Sequence, residues 1–146
     1  MSKAGSATYF GSNSWLLEIA GLRVLVDPWL VEALVFPPGA WLLKGELQHP
    51  WPIPEQLDLL LLTQGLADHS HPPTLKRLPR SLPVVASPAA TRVVKGLGFE
   101  HVTSLQPGEQ HQIEGLNILA SAGARVPMVE NGYLLDWPEG SLYLEP

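Results

Sequence analysis

Four consecutive leucines, Leu59–Leu62, run straight into the polar segment Thr63-Gln64-Gly65-Leu66-Ala67-Asp68-His69-Ser70-His71. The run is apolar throughout, short, and bounded by Asp58 and by Pro72-Pro73, so it reads as a buried strand. A strand of this kind delivers an acid and two histidines to its carboxyl end. That is a common way to set metal ligands or acid–base groups at the mouth of a sheet. The plainer alternative is a capped turn carrying surface histidines.

The flanking chain supplies layers for that strand. Thr8–Phe10, Ser14–Ile19 and Leu22–Val26 read as a β-meander, with Ala20-Gly21 as a two-residue hairpin connection. The third strand stops at Asp27-Pro28, where proline ends pairing. Asp27 is a candidate site residue, and equally a carboxylate that caps its own turn. Trp29–Pro54 holds Trp29, Phe36, Trp41 and Trp51 among five prolines. Helix and strand are interrupted too often to persist there. It reads as an ordered loop packed by its own aromatics: a border to a site, a filler at the edge of a thin core, or a contact surface for a partner.

Downstream, Thr74–Leu78 predicts about two helical turns, and Leu82–Ala86 a short strand. Ser87-Pro88 predicts a helix start, with serine capping and proline at the first helical position. Val93, Val94 and Leu97 form the expected buried face of that helix. Strand, helix, strand, helix, strand is the βαβ pattern of a layered α/β domain. From His101 the chain returns to strands: His101–Leu105, then His111–Ile113 and Leu116–Ala120 around Glu114-Gly115. Ala122-Gly123-Ala124 predicts a break, and Tyr133–Trp137 with Ser141–Leu144 a closing hairpin.

Composition narrows the function classes. The chain has 146 residues, which suits one domain spanning 1–146. It is 45% hydrophobic with a formal charge of −5 and no basic run, so nucleic acid is not an expected partner. Cysteine is absent, which removes disulfides, zinc–cysteine knuckles and thiol catalysis and agrees with a reducing compartment. No apolar run approaches the roughly 20 residues of a membrane span. The expected location is therefore cytoplasmic.

Asp58 through His69 resembles the signature strand and loop of the metallo-β-lactamase fold superfamily, in which an apolar strand enters Thr-His-x-His-x-Asp-His. The nearest branch is the lactonase-like group of metal-dependent hydrolases, especially its divergent cyanobacterial and plant-plastid members. The resemblance extends to Gly11–Pro28 and to the chain's end. It implies an α+β fold of αββα type: a mixed β-sheet with helices on one face, here the first half of the sandwich plus the start of the second. A lone half leaves one sheet face open, and self-association through that face is the expected consequence.

The resemblance also assigns roles. Family histidines that hold a first metal fall on Gln64 and Leu66, and a later one falls near Gly123–Arg125. Leucine has no donor atom, and a neutral amide is a poor zinc ligand. Asp68 and His69 match the second-metal positions, with Asp68 as ligand or base. His71 is a further candidate donor, and Glu145 lies near the family's bridging carboxylate. Gln64 and Arg125 are candidate substrate contacts, Arg125 for an anion. The implied cofactor is zinc or another divalent metal. Three functions follow: a hydrolase with a degenerate motif acting on a small-molecule substrate, a non-catalytic module binding a ligand or protein partner, or a structural half-domain completed by another chain.

Overall fold

The computed structural model describes residues 5–36, 39, 41, 43–125 and 129–145. In chain order its elements are β1 (Ser6–Gly11), β2 (Ser14–Ile19), β3 (Leu22–Val26), β4 (Leu34–Val35), β5 (Lys44–Gly45), β6 (Leu59–Leu62), α1 (Pro72–Leu75), β7 (Val84–Ala86), α2 (Pro88–Gly96), β8 (Val102–Ser104), β9 (Gln110–Ile113), β10 (Leu116–Arg125), β11 (Val129–Trp137) and β12 (Gly140–Leu144).

A six-stranded sheet runs in the order β1-β2-β3-β6-β7-β8. Its first three strands are antiparallel, and β3, β6, β7 and β8 are parallel. The antiparallel part follows from the tight Ala20-Gly21 turn, where both residues take the positive φ that hairpin turns need. The parallel part follows from α1 and α2, because parallel neighbours require a crossover. Ser87 caps α2 by accepting the Ala90 amide, with Pro88 at the first helical position.

The strand β6 lies in the middle of this sheet, and all four of its leucines are fully buried. Alternate side chains go to opposite faces. Leu59 and Leu61 join Val24, Val26 and Val85 on one face; Leu60 and Leu62 join Leu25, Val84 and Ala86 on the other. The first face packs on Leu116, Ile118, Ala120, Tyr133 and Leu135 of a second, four-stranded antiparallel sheet, ordered β12-β11-β10-β9. The second face packs on Leu75 of α1, on Ala90 and Val94 of α2, and on Phe99. Burying each such leucine contributes roughly 1.5–3 kcal/mol.

Several expectations need correction. Both faces of the β1–β8 sheet are covered, so the predicted open face is not there. The strands after His101, the start of the second half, form a covering sheet of their own. The side of that second sheet away from the core carries exposed Leu134 and Tyr143. The small residues Ala122-Gly123-Ala124 do not break β10, because pairing with β11 carries the ladder past Ala122↔Asn131 to Arg125↔Val129 through one irregularity. Helix α1 makes about one turn rather than two. Arg80 caps its end, donating to the carbonyls of Leu75, Lys76 and Leu78. On α2 and at its C-cap the expected Val93, Val94 and Leu97 do face the core, Val94 buried and the other two partly so, and Ala90 and Thr91 are buried beside them. The aromatic loop also contains the β4–β5 ladder, which its prolines did not suggest.

Candidate functional site

The ends of β3 and β6 meet at one point. Asp27 follows β3 and its amide donates to Leu61 O at 3.1 Å, so the strand pairing continues into the site. Its φ of +41° lies in the left-handed region, which Asp tolerates better than most residues. The carboxylate is buried. Oδ1 accepts the Thr63 amide at 2.9 Å, and Oδ2 accepts the Thr63 hydroxyl and His69 Nδ1–H, the latter at 2.6 Å. Ser14 fixes the same corner by donating to Asp27 O and accepting the Trp29 amide.

With Nδ1 held by Asp27, the other nitrogen of His69 points away from the core. Nε2 lies 3.2 Å from Asn13 Nδ2 and 3.4 Å from Asp68 Oδ2. Burial works against a charge on this imidazole, but the bonds to Asp27 and Asp68 outweigh it and push its pKa up to about 9. Burial likewise opposes ionisation of Asp68, yet His69 holds that carboxyl below its ordinary value. Asp27 sits above its ordinary value because it is desolvated, despite three donors pulling the other way. Asp68 Oδ1 is buried and has no hydrogen-bond partner among the described residues.

The other sequence candidates separate. His71 is buried and engaged at both nitrogens: Nδ1 accepts from Thr74 Oγ1 at 2.9 Å and Nε2–H donates to Ala33 O at 3.0 Å. Burial lowers its pKa, so it is the neutral strut of the aromatic loop. Gln64 is buried with Oε1 unpartnered, and its carbonyl accepts from Ser70 Oγ. Glu145 is exposed and lines a small cleft together with Asn13, Asp27 and Thr63. The side chain of Arg125 lies outside the described residues.

Sequence reasoning missed Asn13 and the structural use of Ser14. Both lie more than 50 residues from Asp68, and nothing in the β1–β2 turn signals the contact. Beneath the site, Tyr133 O–H donates to Leu62 O at 2.9 Å, and the Asn131 amide donates to Thr63 O, tying the second sheet to the end of β6.

A family model described as a beta-lactamase superfamily domain matches residues 6–136. The chain belongs to that superfamily. No curated protein matches it by sequence. Among solved structures it is similar to a "possible metal-dependent hydrolase" from Veillonella parvula, with TM-score 0.75 and 15% identity over 95% of this chain and 61% of that one. An isothiocyanate hydrolase from Delia radicum gut bacteria gives TM-score 0.72 at 17% identity, over 96% and 61%. CmlA, a diiron β-hydroxylase from Streptomyces venezuelae, gives 0.71 at 19%, over 99% and 30%. At such identities the likeness is one of fold. The chain spans about three-fifths of the length of the two hydrolases and less than a third of CmlA.

Superfamily membership invites a test of whether these residues suit a metal. Two of them do. Ligands bound about 2.0–2.2 Å from one zinc sit roughly 3.3 Å apart, and Nε2 of His69 is 3.4 Å from Asp68 Oδ2. Asp27 behind Nδ1 is the carboxylate partner that orients a metal-bound imidazole, and the unpartnered Oδ1 of Asp68 lacks a counter-group. A full set is not assembled, however. No three His, Cys, Asp or Glu side chains converge among the described residues. Among the described residues no helix is long and apolar enough to cross a membrane.

Proposed function

We propose that this chain is part of a metal-dependent hydrolase in which Asp68 and His69 hold one divalent ion, zinc being the simplest fit to one imidazole and one carboxylate. The observation that carries this reading is the His69 ring held by Asp27, with Nε2 presented toward Asp68. An ion there would supply an activated water for attack on a carbonyl or phosphoryl centre. The chain's own part is narrower. Asp27 fixes the imidazole tautomer and orientation, Thr63 fixes Asp27, and Asp68 contributes a carboxylate. Any remaining protein donors would come from outside the described residues or from a second chain.

Zinc titration of the full chain by calorimetry, after chelator treatment, tests this. One site is expected, abolished by Asp68→Ala and by His69→Ala, with zinc moving the His69 Nε2 resonance in nitrogen-15 spectra. No binding at 1 mM zinc, or binding indifferent to both substitutions, overturns the reading.

A second reading has its own support. Gln64 and Leu66 occupy the first-metal positions, and Asn13 already faces His69 Nε2. In a non-catalytic descendant the Asp27–His69–Asp68 chain is a clasp between strand ends, and the aromatic loop or the outer face bearing Leu134 and Tyr143 receives a ligand, a protein, or another copy.

A further inference from the structure

The β1–β2 turn separates two cavities. On one side is the small cleft of Asn13, Asp27, Thr63 and Glu145; on the other, a cavity of about 270 Å³ walled by Phe10, Trp29, Leu47, His49 and Trp51. Ser12 lines both. The second cavity is open at the surface, and its lining is mostly apolar. Its aromatic wall is braced rather than loose. The Trp51 ring meets Phe10 at 5.4 Å and His49 at 4.7 Å between centroids, tilted by 60° and 58°, and its amide donates to Leu30 O. Trp29 is pinned by its indole N–H to Glu32 O, and it lies over Gly45. These three rings are nonetheless only half-buried.

Side chains fixed on one side and left unpacked on the other preorganise an apolar wall at little entropic cost to a ligand. Glu46 at the rim is paired with Lys44, so the rim presents no lone charge to repel an apolar group. A cavity of about 150 Å³ accommodates a benzene ring, so this one takes a ring with a short linker. Gly11 and Ser12 form the dividing lip with φ of +100° and +51°. That conformation turns the chain sharply enough for Ser12 to edge one cavity while Asn13 reaches His69.

We propose that the Phe10–Trp29–Trp51 cavity is a binding subsite for the aryl arm of a neutral small molecule whose polar end passes Ser12 to reach Asn13 in the neighbouring cleft. This rests on the hydrolase reading for the role of the polar end, while binding of the arm requires no metal. The group recognised is flat and apolar.

The test uses 4-fluorophenylacetamide, a neutral aryl amide, with acetamide as the control lacking the arm. Nitrogen–proton spectra of the full chain are followed with chelator and again with zinc. The aryl amide is expected to shift the indole resonances of Trp29 and Trp51 and the amides of Ser12 and Asn13, saturating in the millimolar range, while acetamide leaves the indoles unmoved. Leu47→Arg, on the half-buried loop, should weaken binding at least fivefold, and the milder His49→Ala two- to threefold. Indole shifts that are absent, equal with acetamide, or indifferent to both variants overturn the subsite. Saturable binding under chelator, with no zinc site in the calorimetric titration, removes the metal reading and leaves the subsite standing.

Discussion

Replacing Asp27 by Asn probes the group on which the site geometry depends. Asn tolerates a φ of +41°, and its Oδ1 can still accept the Thr63 amide. The amide nitrogen that replaces Oδ2 donates, so it can no longer accept from His69. The imidazole then loses its strongest reason to be charged. Its folded pKa is about 9 against an ordinary 6.5. The shift corresponds to roughly 3 kcal/mol of stability at 1.4 kcal/mol per unit. Because the folded value is raised, that contribution is complete below pH 6.5 and is lost as the pH rises through 9. Asp27 is the first of the two carboxylates sustaining it, so about 2 kcal/mol should disappear in the variant. Urea unfolding with chelator present, at pH 6 and pH 9.5, measures this as a double difference in which titrating groups outside the Asp27–His69–Asp68 cluster cancel. Asp27→Asn should cost about 2 kcal/mol more at pH 6 than at pH 9.5. A penalty independent of pH, or none, refutes the Asp27–His69 pairing as the source of the shift.

Three further outcomes follow from the same geometry. Gly65→Ala would place a Cβ 2.9 Å from the Ala89 carbonyl carbon and 3.0 Å from its oxygen; backbone cannot yield as a side chain can, so a loss of about 1–3 kcal/mol is expected in thermal unfolding. Tyr133→Phe removes the donor to Leu62 O and the acceptor of Asn131 Nδ2, and should cost about 1–2 kcal/mol without altering zinc affinity. His71 is held neutral by burial, its pKa below 6.5. Stability should therefore fall as the pH drops below 6.5, and His71→Leu should flatten that acid limb relative to the unsubstituted chain while lowering stability at pH 7.

The strand that matters most was legible because its signal is local. Leu59–Leu62 has no polar interruption and is bounded by Asp58 and Thr63, and the strand forms over those four residues. Ser87-Pro88 was equally local, since cap and first-turn proline act within one helical turn. What failed was non-local. The strand β10 persists through Ala122-Gly123-Ala124 because β11 pairs alongside, and no single segment carries its partner's register. That the strands after His101 close over β6 is encoded only in which of their faces turn inward. At the site, the Asp-Pro after β3 and the Asp-His after β6 were each visible as turn residues. That they bond to each other depends on β3 and β6 being parallel neighbours, with Val26 opposite Leu61. Asn13 carried no signal, because a turn asparagine reads the same whether it faces water or an imidazole.

Folding alone accounts for three members of the cluster. Asp27, Thr63 and His69 satisfy one another inside the protein and join two strand ends, so their side chains are explained by the buried network they form. Asp68 is different. It brings negative charge to a place already holding Asp27, leaves Oδ1 buried without a partner, and meets His69 only at 3.4 Å. Its pairing with the His69 imidazole outweighs that desolvation and holds the carboxyl below its ordinary value. Its carboxylate also stands at ligand spacing from His69 Nε2, the nitrogen that Asn13 Nδ2 faces at 3.2 Å. That spacing, rather than the histidine itself, is what a zinc titration tests in this corner of the sheet.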